Sequence, residues 1–274
     1  MASKKIAFIG GGNMATALIS GISRMRPGPE WIRVSDPSAE ARQRLTEAYG
    51  VQCFDHAEPV VPGADVIVLA VKPQFMGAAL AELAGLVQAE QLVVSIAAGI
   101  TVKSLTGALR NEPAVVRAMP NTPALIGKGI SGMYAAPGCS PAQRLLAESV
   151  LAGAGAGVWI EDESLMDVVT AVSGSGPAYF FLLTEALRDA GEDLGLPADV
   201  AANLALHTAS GAGAMVIASD VDISELRRRV TSPGGTTQAA LEAFAKGRFN
   251  ALVAEAVRAA TDRGRELASQ GAET

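Results

Sequence analysis

The chain has 274 residues, 49% of them hydrophobic and only 4% aromatic, which is enough to bury a sizeable core built mainly of Ala, Leu, Val and Ile. Its net charge of −6 argues against nucleic acid as the main partner, since neutralising phosphates needs a basic surface. Two cysteines (Cys53, Cys139) and two distant histidines (His56, His207) provide neither a disulfide framework nor a zinc site, and a reduced, cytoplasmic setting is the expectation.

No secretory signal is expected, because the apolar run in MASKKIAFIGGG is too short. No membrane span is expected either: no uninterrupted apolar stretch reaches about 18 residues. In chain order, KIAFIG (5–10) reads as a buried strand and MATALISGIS (14–23) as a helix. WIRVSD (31–36) is a second strand. SAEARQRLTEAYG (38–50) is a helix with Ser38 as N-cap and Gly50 just past its end. DVIVLAVKP (65–73) and LVVSIAAG (92–99) are further strands. VVRAMPNTPA (115–124), GISGMYAAP (129–137) and GVWIE (157–161) are extended pieces. Strands alternating with helices imply parallel βαβ units. Beyond Leu165 only helical runs are expected, at 165–194, 198–218, 222–230, 235–246 and 248–269. The fold class is therefore α/β, with a mostly parallel Rossmann-type sheet in residues 1–161 and an all-helical domain in 162–274.

Gly10-Gly11-Gly12-Asn13-Met14-Ala15 follows Ile9 at the end of the first strand and opens the first helix. This is G-x-G-x-x-A, a dinucleotide fingerprint. The first glycine permits the tight turn, the second admits a pyrophosphate to the backbone, and the alanine allows close helix–strand packing. Asp36 ends the second strand and has two readings. It binds the ribose 2′-OH of NAD and repels the 2′-phosphate of NADP, by about 4 kcal/mol at 4 Å and a dielectric of about 20. Alternatively it caps the following helix and leaves Ser35 nearest the ribose. Ala70-Val71-Lys72-Pro73 lies at the carboxyl end of a strand, where open α/β sheets bind ligands, and Lys72 suits a phosphate, ribose or nicotinamide group. Ala97 and Ala98, in SIAAG, are small enough for backbone to pass close to a nicotinamide ring.

GGGNMA, AVKPQ, SIAAG, VRAMPNTPA, AVSGSGPAYFF and RRRVTSPGGTT, in this order, resemble pyrroline-5-carboxylate reductases across nearly the whole chain. The resemblance implies reduction of the cyclic imine 1-pyrroline-5-carboxylate to proline, the last step of proline synthesis. NADP, with NAD as second candidate, would lie on the N-terminal domain. It also implies an intertwined homodimer, often built into a ring of dimers, and substrate received at TSPGGTT. Thr237 would hydrogen-bond the ring nitrogen, and Glu163 would lie near the substrate. Asp36 departs from what suits NADPH, and Ala57 stands where many members carry Asn near the adenosine.

The residues themselves agree with a carboxylate ligand. In TSPGGTT, a helix start offers N–H donors without side-chain charge, Gly234 and Gly235 remove bulk, and Thr236 and Thr237 add hydroxyls. SGSGPAY (173–179) has the same build, with Ser175, Gly176 and then Pro177 in a first helical turn. Two such helix starts converging on one small anion is the expectation. The first long helix lacks the lysine or histidine that hydroxyacid dehydrogenases use as acid–base, and His207 reads as a buried structural histidine. A non-catalytic nucleotide-binding protein is the other rival. Arg227, Arg228 and Arg229 read as complements to a helix C-terminal dipole, with a cofactor phosphate across the dimer as a second use.

Overall fold

The computed structural model of the chain describes residues 4–25, 28 and 30–271; the extreme ends of both expected domains, 1–3 and 272–274, lie outside the described residues. Among the described residues the chain forms two compact units. One is Met1–Ser175 with Ala260–Thr274, and the other is Gly176–Ala259.

The first unit is built on one eight-stranded sheet. Its strands are β1 (Ile6–Ile9), β2 (Ile32–Ser35), β3 (Gln52–Phe54), β4 (Val66–Leu69), β5 (Leu92–Ser95), β6 (Ala114–Met119), β7 (Gly129–Ala135) and β8 (Gly155–Trp159). Their order is β3-β2-β1-β4-β5-β6-β7-β8, and every neighbouring pair is parallel except β6–β7. Most strands match the apolar runs of the sequence. The three-residue β3 was not expected, because it carries no hydrophobic run and exists only by pairing with β2.

Alternate side chains of the inner strands feed separate cores. Ile6, Phe8, Val66 and Val68 pack on one face, beneath α1 (Asn13–Met25), α2 (Ala39–Tyr49) and a later helix, Pro141–Leu151. Ala7, Ile9, Ile67 and Leu69 pack on the other, beneath α3 (Met76–Leu83) and α4 (Val102–Ala108). This two-sided burial is why the strands read as continuous apolar runs rather than alternating ones. The Pro141–Leu151 helix, α5, starts at a capping box of Ser140 and Gln143. α2 begins and ends as its sequence suggests: Ser38 Oγ accepts from Ala41 N–H, and Gly50 N–H donates to Thr46 O.

The expected helical run 165–194 is subdivided. It comprises a 3₁₀ turn (Glu163–Leu165), α6 (Met166–Val169), a π-turn (Thr170–Gly174) and α7 (Gly176–Asp193). The π-turn is closed by Ser175 N–H donating to Thr170 O, and just beyond it Pro177 brings no N–H to the α-helical ladder. α8 (Ala198–Ala218), α9 (Ile223–Arg229), α10 (Thr236–Lys246) and α11 (Phe249–Gly271) follow close to their expected limits.

In the second unit, Gly191 lets α7 and α8 approach, since a Cβ there would lie 3.3 Å from that of Ala201. Phe244 and Phe249 pack as a tilted pair, ring centroids 5.2 Å apart, where α10 meets α11. Yet this unit exposes Phe180, Phe181, Leu206 and Met215, with Leu194 at 89% and Ile217 at 86%. His207 is likewise exposed on α8, contrary to the buried position its apolar neighbours suggested, because the surrounding apolar side chains themselves face outward. The helical stretches Glu163–Asp193 and Ala198–Ala218 are long and apolar enough to cross a membrane by length and composition alone. The sequence criterion missed this because Gly, Ser and Thr interrupt their apolar runs.

α1 is held in the first unit by a glycine–glycine contact: a Cβ on Gly21 would overlap the Gly153 carbonyl, which leads into β8. Helix propensity alone favours Gly21→Ala by about 1 kcal/mol. Overpacking costs about 1–3 kcal/mol and works against backbone here, so it wins. Gly21→Ala is therefore expected to lower the melting temperature, whereas a rise would show that α1 shifts freely.

Candidate active site

Parallel register brings the cofactor candidates to one edge. Ile9 is level with Ser35 and with Leu69, and Leu69 is level with Ser95. The segments that follow, Gly10–Met14, Asp36, Ala70–Pro73 and Ala97–Ala98, consequently emerge together at the carboxyl edge. The strand order reverses between β1 and β4, and such a reversal is where open α/β sheets take their ligands.

Gly10 has φ +99°, and a Cβ there would lie 2.7 Å from Ala70 O, so this turn excludes side chains twice over. Gly12 is the opposite case: nothing lies within 4 Å of where its Cβ would point. That open side, beside the free N–H groups of the α1 N-terminus, fits a pyrophosphate. Ala15 is fully buried, as close packing of α1 on the sheet requires.

The Asp36 carboxylate is engaged twice. Oδ2 accepts from Gly11 N–H at 2.6 Å and Oδ1 from Ser38 N–H at 2.8 Å. Asp36 thus ties the glycine turn to the β2–α2 connection, while Ser38 is the residue that caps α2. Arg42 donates to Asp36 O and Arg44 to Gly11 O, so two guanidiniums flank the same turn. Ser35 is buried, its carbonyl accepting from Gly10 N–H at 2.7 Å. Lys72 is exposed just before a 3₁₀ turn begun by Pro73; Ala97 is buried and Ala98 half-buried. Ala57 is wholly buried, and its N–H donates to the Glu82 carboxylate.

In the second unit, Asp222 caps α9, its carboxyl held below the usual carboxylate range by the Ser224 hydroxyl and N–H. Glu225 binds Arg228 and Arg229, which hold its carboxyl low as well. These two arginines therefore serve their own helix. α10 opens at Thr236 with Gly235 as a side-chain-free cap and Gly234 at φ +70°. Gly234 N–H donates to Gln238 Oε1 at 2.8 Å and Gly235 N–H to Ser232 O at 3.0 Å. The loop glycines thus use their own donors on the turn. Helix geometry leaves the N–H groups of Thr236, Thr237 and Gln238 without intrahelical acceptors.

Comparison with known proteins identifies the family. Residues 163–267 match the model described as pyrroline-5-carboxylate reductase dimerisation. Residues 5–99 match one described as NADP oxidoreductase, coenzyme F420-dependent. A pyrroline-5-carboxylate reductase from Pseudomonas aeruginosa is 49% identical, covering 98% of this chain and 99% of its own. The chain belongs to the pyrroline-5-carboxylate reductase family. Among solved structures, the reductase from Coxiella burnetii superposes with TM-score 0.93 at 37% identity, covering 97% of this chain and 98% of that one. The Plasmodium falciparum enzyme with NADP bound gives 0.84 at 30% identity, over 98% and 99%. As a family member the chain is an oxidoreductase, with a Rossmann-type domain followed by a dimerisation domain.

Within this reductase fold, Glu163 has a defined setting. Its Oε1 accepts from Arg117 Nη1 at 2.9 Å and from Val102 N–H at 2.8 Å. The Arg117 side chain is 6% exposed and that of Glu163 26%. One carboxylate therefore pins β6, the start of α4 and the segment leading into α6. Sequence reasoning missed Arg117, although an arginine inside the otherwise apolar VVRAM strand was a signal. It also missed Asn121 of MPNTP, which is 9% exposed. Asn121 Nδ2 donates to Ser173 O in the π-turn, and its Oδ1 accepts from Ile130 N–H, both at 3.0 Å.

Removing the carboxylate strands a buried guanidinium, which costs about 3 kcal/mol. Glu163→Ala is expected to lower stability by that amount in a denaturant titration, and Glu163→Gln by clearly less, because an amide oxygen still accepts from both donors. Equal losses for the two variants would show that the negative charge, not the accepting oxygen, is what holds Arg117 and Val102 N–H.

Proposed function

We propose that this chain reduces 1-pyrroline-5-carboxylate to L-proline, using NADPH, with NADH as the second donor. The observation that carries the reading is the near-full-length match to pyrroline-5-carboxylate reductases, joined to a carboxyl-edge glycine turn whose open side fits a dinucleotide. The rival readings, a hydroxyacid dehydrogenase or a non-catalytic nucleotide-binding protein, lack that support.

Ile9, Gly10–Met14, Ser35, Asp36, Ala70–Pro73, Ala97 and Ala98 form the cofactor site. Ser175, Gly176, Gly234, Gly235, Thr236 and Thr237 receive the substrate, with Glu163 close to it. The functional division falls at 161/162: cofactor on the first part, substrate and dimer contacts on the second. Bound cofactor supplies the hydride. The chain's own work is to hold the carboxylate on helix N–H groups and to orient the ring. The imine nitrogen is basic enough to arrive protonated. Thr237 then keeps that N–H aligned and relays a proton from water when the imine arrives neutral. A threonine hydroxyl is too weak an acid to be the final proton source; the proton comes with the protonated imine or from water, so no carboxylic acid or imidazole is needed beside it.

The apolar surface of the helical unit is covered by a second copy in a homodimer, which assembles further into a ring of dimers. Neither a bilayer nor nucleic acid is its partner, and the setting is cytoplasmic. The dimerisation-domain match and the exposed apolar side chains support the first point, and the acidic charge supports the exclusion of nucleic acid.

The test is oxidation of NADPH and NADH by pyrroline-5-carboxylate with proline as product. Rapid oxidation is expected, and none with either cofactor would overturn the reading. In the same assay Thr237→Ala is expected to lower kcat by about tenfold or more with cofactor Kd unchanged; near-normal kcat would remove Thr237 from the ring nitrogen. Asp36→Ser is expected to raise the NADPH/NADH ratio of kcat/KM by at least about tenfold, since it removes a charge from the 2′-phosphate position. Both KM values should rise, because Gly11 N–H loses its acceptor. An unchanged ratio would take Asp36 away from the ribose.

A further inference from the structure

Asn121 uses both ends of its amide on backbone groups that the surrounding chain leaves without ordinary partners. The first is the Ser173 carbonyl. In a continuous α-helix this carbonyl accepts from the N–H four residues on, which is residue 177. Pro177 has no N–H. Asn121 Nδ2 supplies the missing donor at 3.0 Å. The second is the Ile130 N–H. β6 and β7 pair antiparallel with Met119 level with Gly132, so the same register carried past Pro120 sets residue 121 opposite Ile130. The β6 strand has ended there, and Asn121 Oδ1 takes over as acceptor at 3.0 Å. Only one orientation of the amide satisfies a carbonyl and an N–H together, so its donor and acceptor ends are determined by the network.

This side chain therefore couples the end of a sheet strand to a π-turn. That turn is closed by Ser175 N–H donating to Thr170 O at 2.8 Å, and α7 begins at the next residue. π-turns inside helices cost regular hydrogen bonding and persist where surrounding structure holds them. MPNTP and SGSGP, far apart in sequence, are thus one structural device.

We propose that Asn121 is a positioning residue for the reduction: it replaces the N–H that Pro177 lacks, and so fixes the register of Ser175 and Gly176. The inference rests on the reading above that these two residues contact substrate.

The experiment is a cycle of four proteins: wild type, Asn121→Asp, Pro177→Ala and the double variant. Aspartate keeps the shape and the Ile130 acceptor, but turns an oxygen toward Ser173 O. Asn121→Asp is expected to lower kcat/KM for pyrroline-5-carboxylate by about tenfold, leaving NADPH Kd within about twofold. In the Pro177→Ala background, where the backbone N–H is restored, the same change is expected to cost less than about threefold. Equal losses in both backgrounds, or no loss in either, would overturn the proposal. If Asn121→Asp alone does not fold, the double variant is compared with Pro177→Ala: soluble protein with kcat/KM within about threefold supports the proposal, and failure to recover or a larger loss of kcat/KM overturns it. Melting temperatures of the four read the hydrogen-bond exchange without substrate. A non-additive melting cycle with flat kinetics throughout overturns the positioning role. Wild-type turnover is the control, so absence of turnover there would fall on the functional reading instead.

Discussion

Everything at the cofactor edge depends on one constraint, the parallel register of four short strands. Because Ile9 is level with Ser35 and Leu69, and Leu69 with Ser95, the chain leaves the sheet at one height in four places. A slip of one residue would exchange the two cores, since Phe8 and Ile9 face opposite sides. The apolar packing that stabilises the sheet is thus also what aligns Gly10, Asp36, Ala70 and Ala97. Gly10 then completes the arrangement by passing so close to the Ala70 carbonyl that no side chain fits.

The second constraint is a shortage of interior. The helical unit turns Phe180, Phe181, Leu194 and Ile217 outward. Leaving such surface in water forfeits about 1.5–3 kcal/mol for each large side chain that could be buried. The match of this region to a dimerisation domain and its outward apolar side chains are the observations that support the proposed second copy.

Polar groups brace the first unit internally. Glu163 ties β6 to the start of α4, and Asn121 ties the end of β6 to the π-turn. Both act by giving a backbone group or a buried charge the partner it would otherwise lack. Neither was legible as an anchor in the sequence. Glu163 was singled out by resemblance for a place beside substrate, and Asn121 was quoted only as a motif letter.

Local pattern was enough for much of the architecture. Short apolar runs identified β1, β2, β4 and β5, the extended pieces fell on β6, β7 and the end of β8, and the caps Ser38 and Gly50 delimited α2, because these signals act within a few residues. The glycine fingerprint was legible for the same reason: φ +99° at Gly10 is a property of that residue alone. What only the tertiary structure decided are the partners across long separations. Asp36 closes on Gly11, Arg117 on Glu163 and Asn121 on Ser173. Hydrogen bonds of about 3 Å between residues 25 to 52 positions apart follow from strand order and register, which no local periodicity encodes. The outward turn of His207 belongs to the same class, since an apolar neighbourhood in sequence does not say whether those neighbours face a core or the space a second chain will fill.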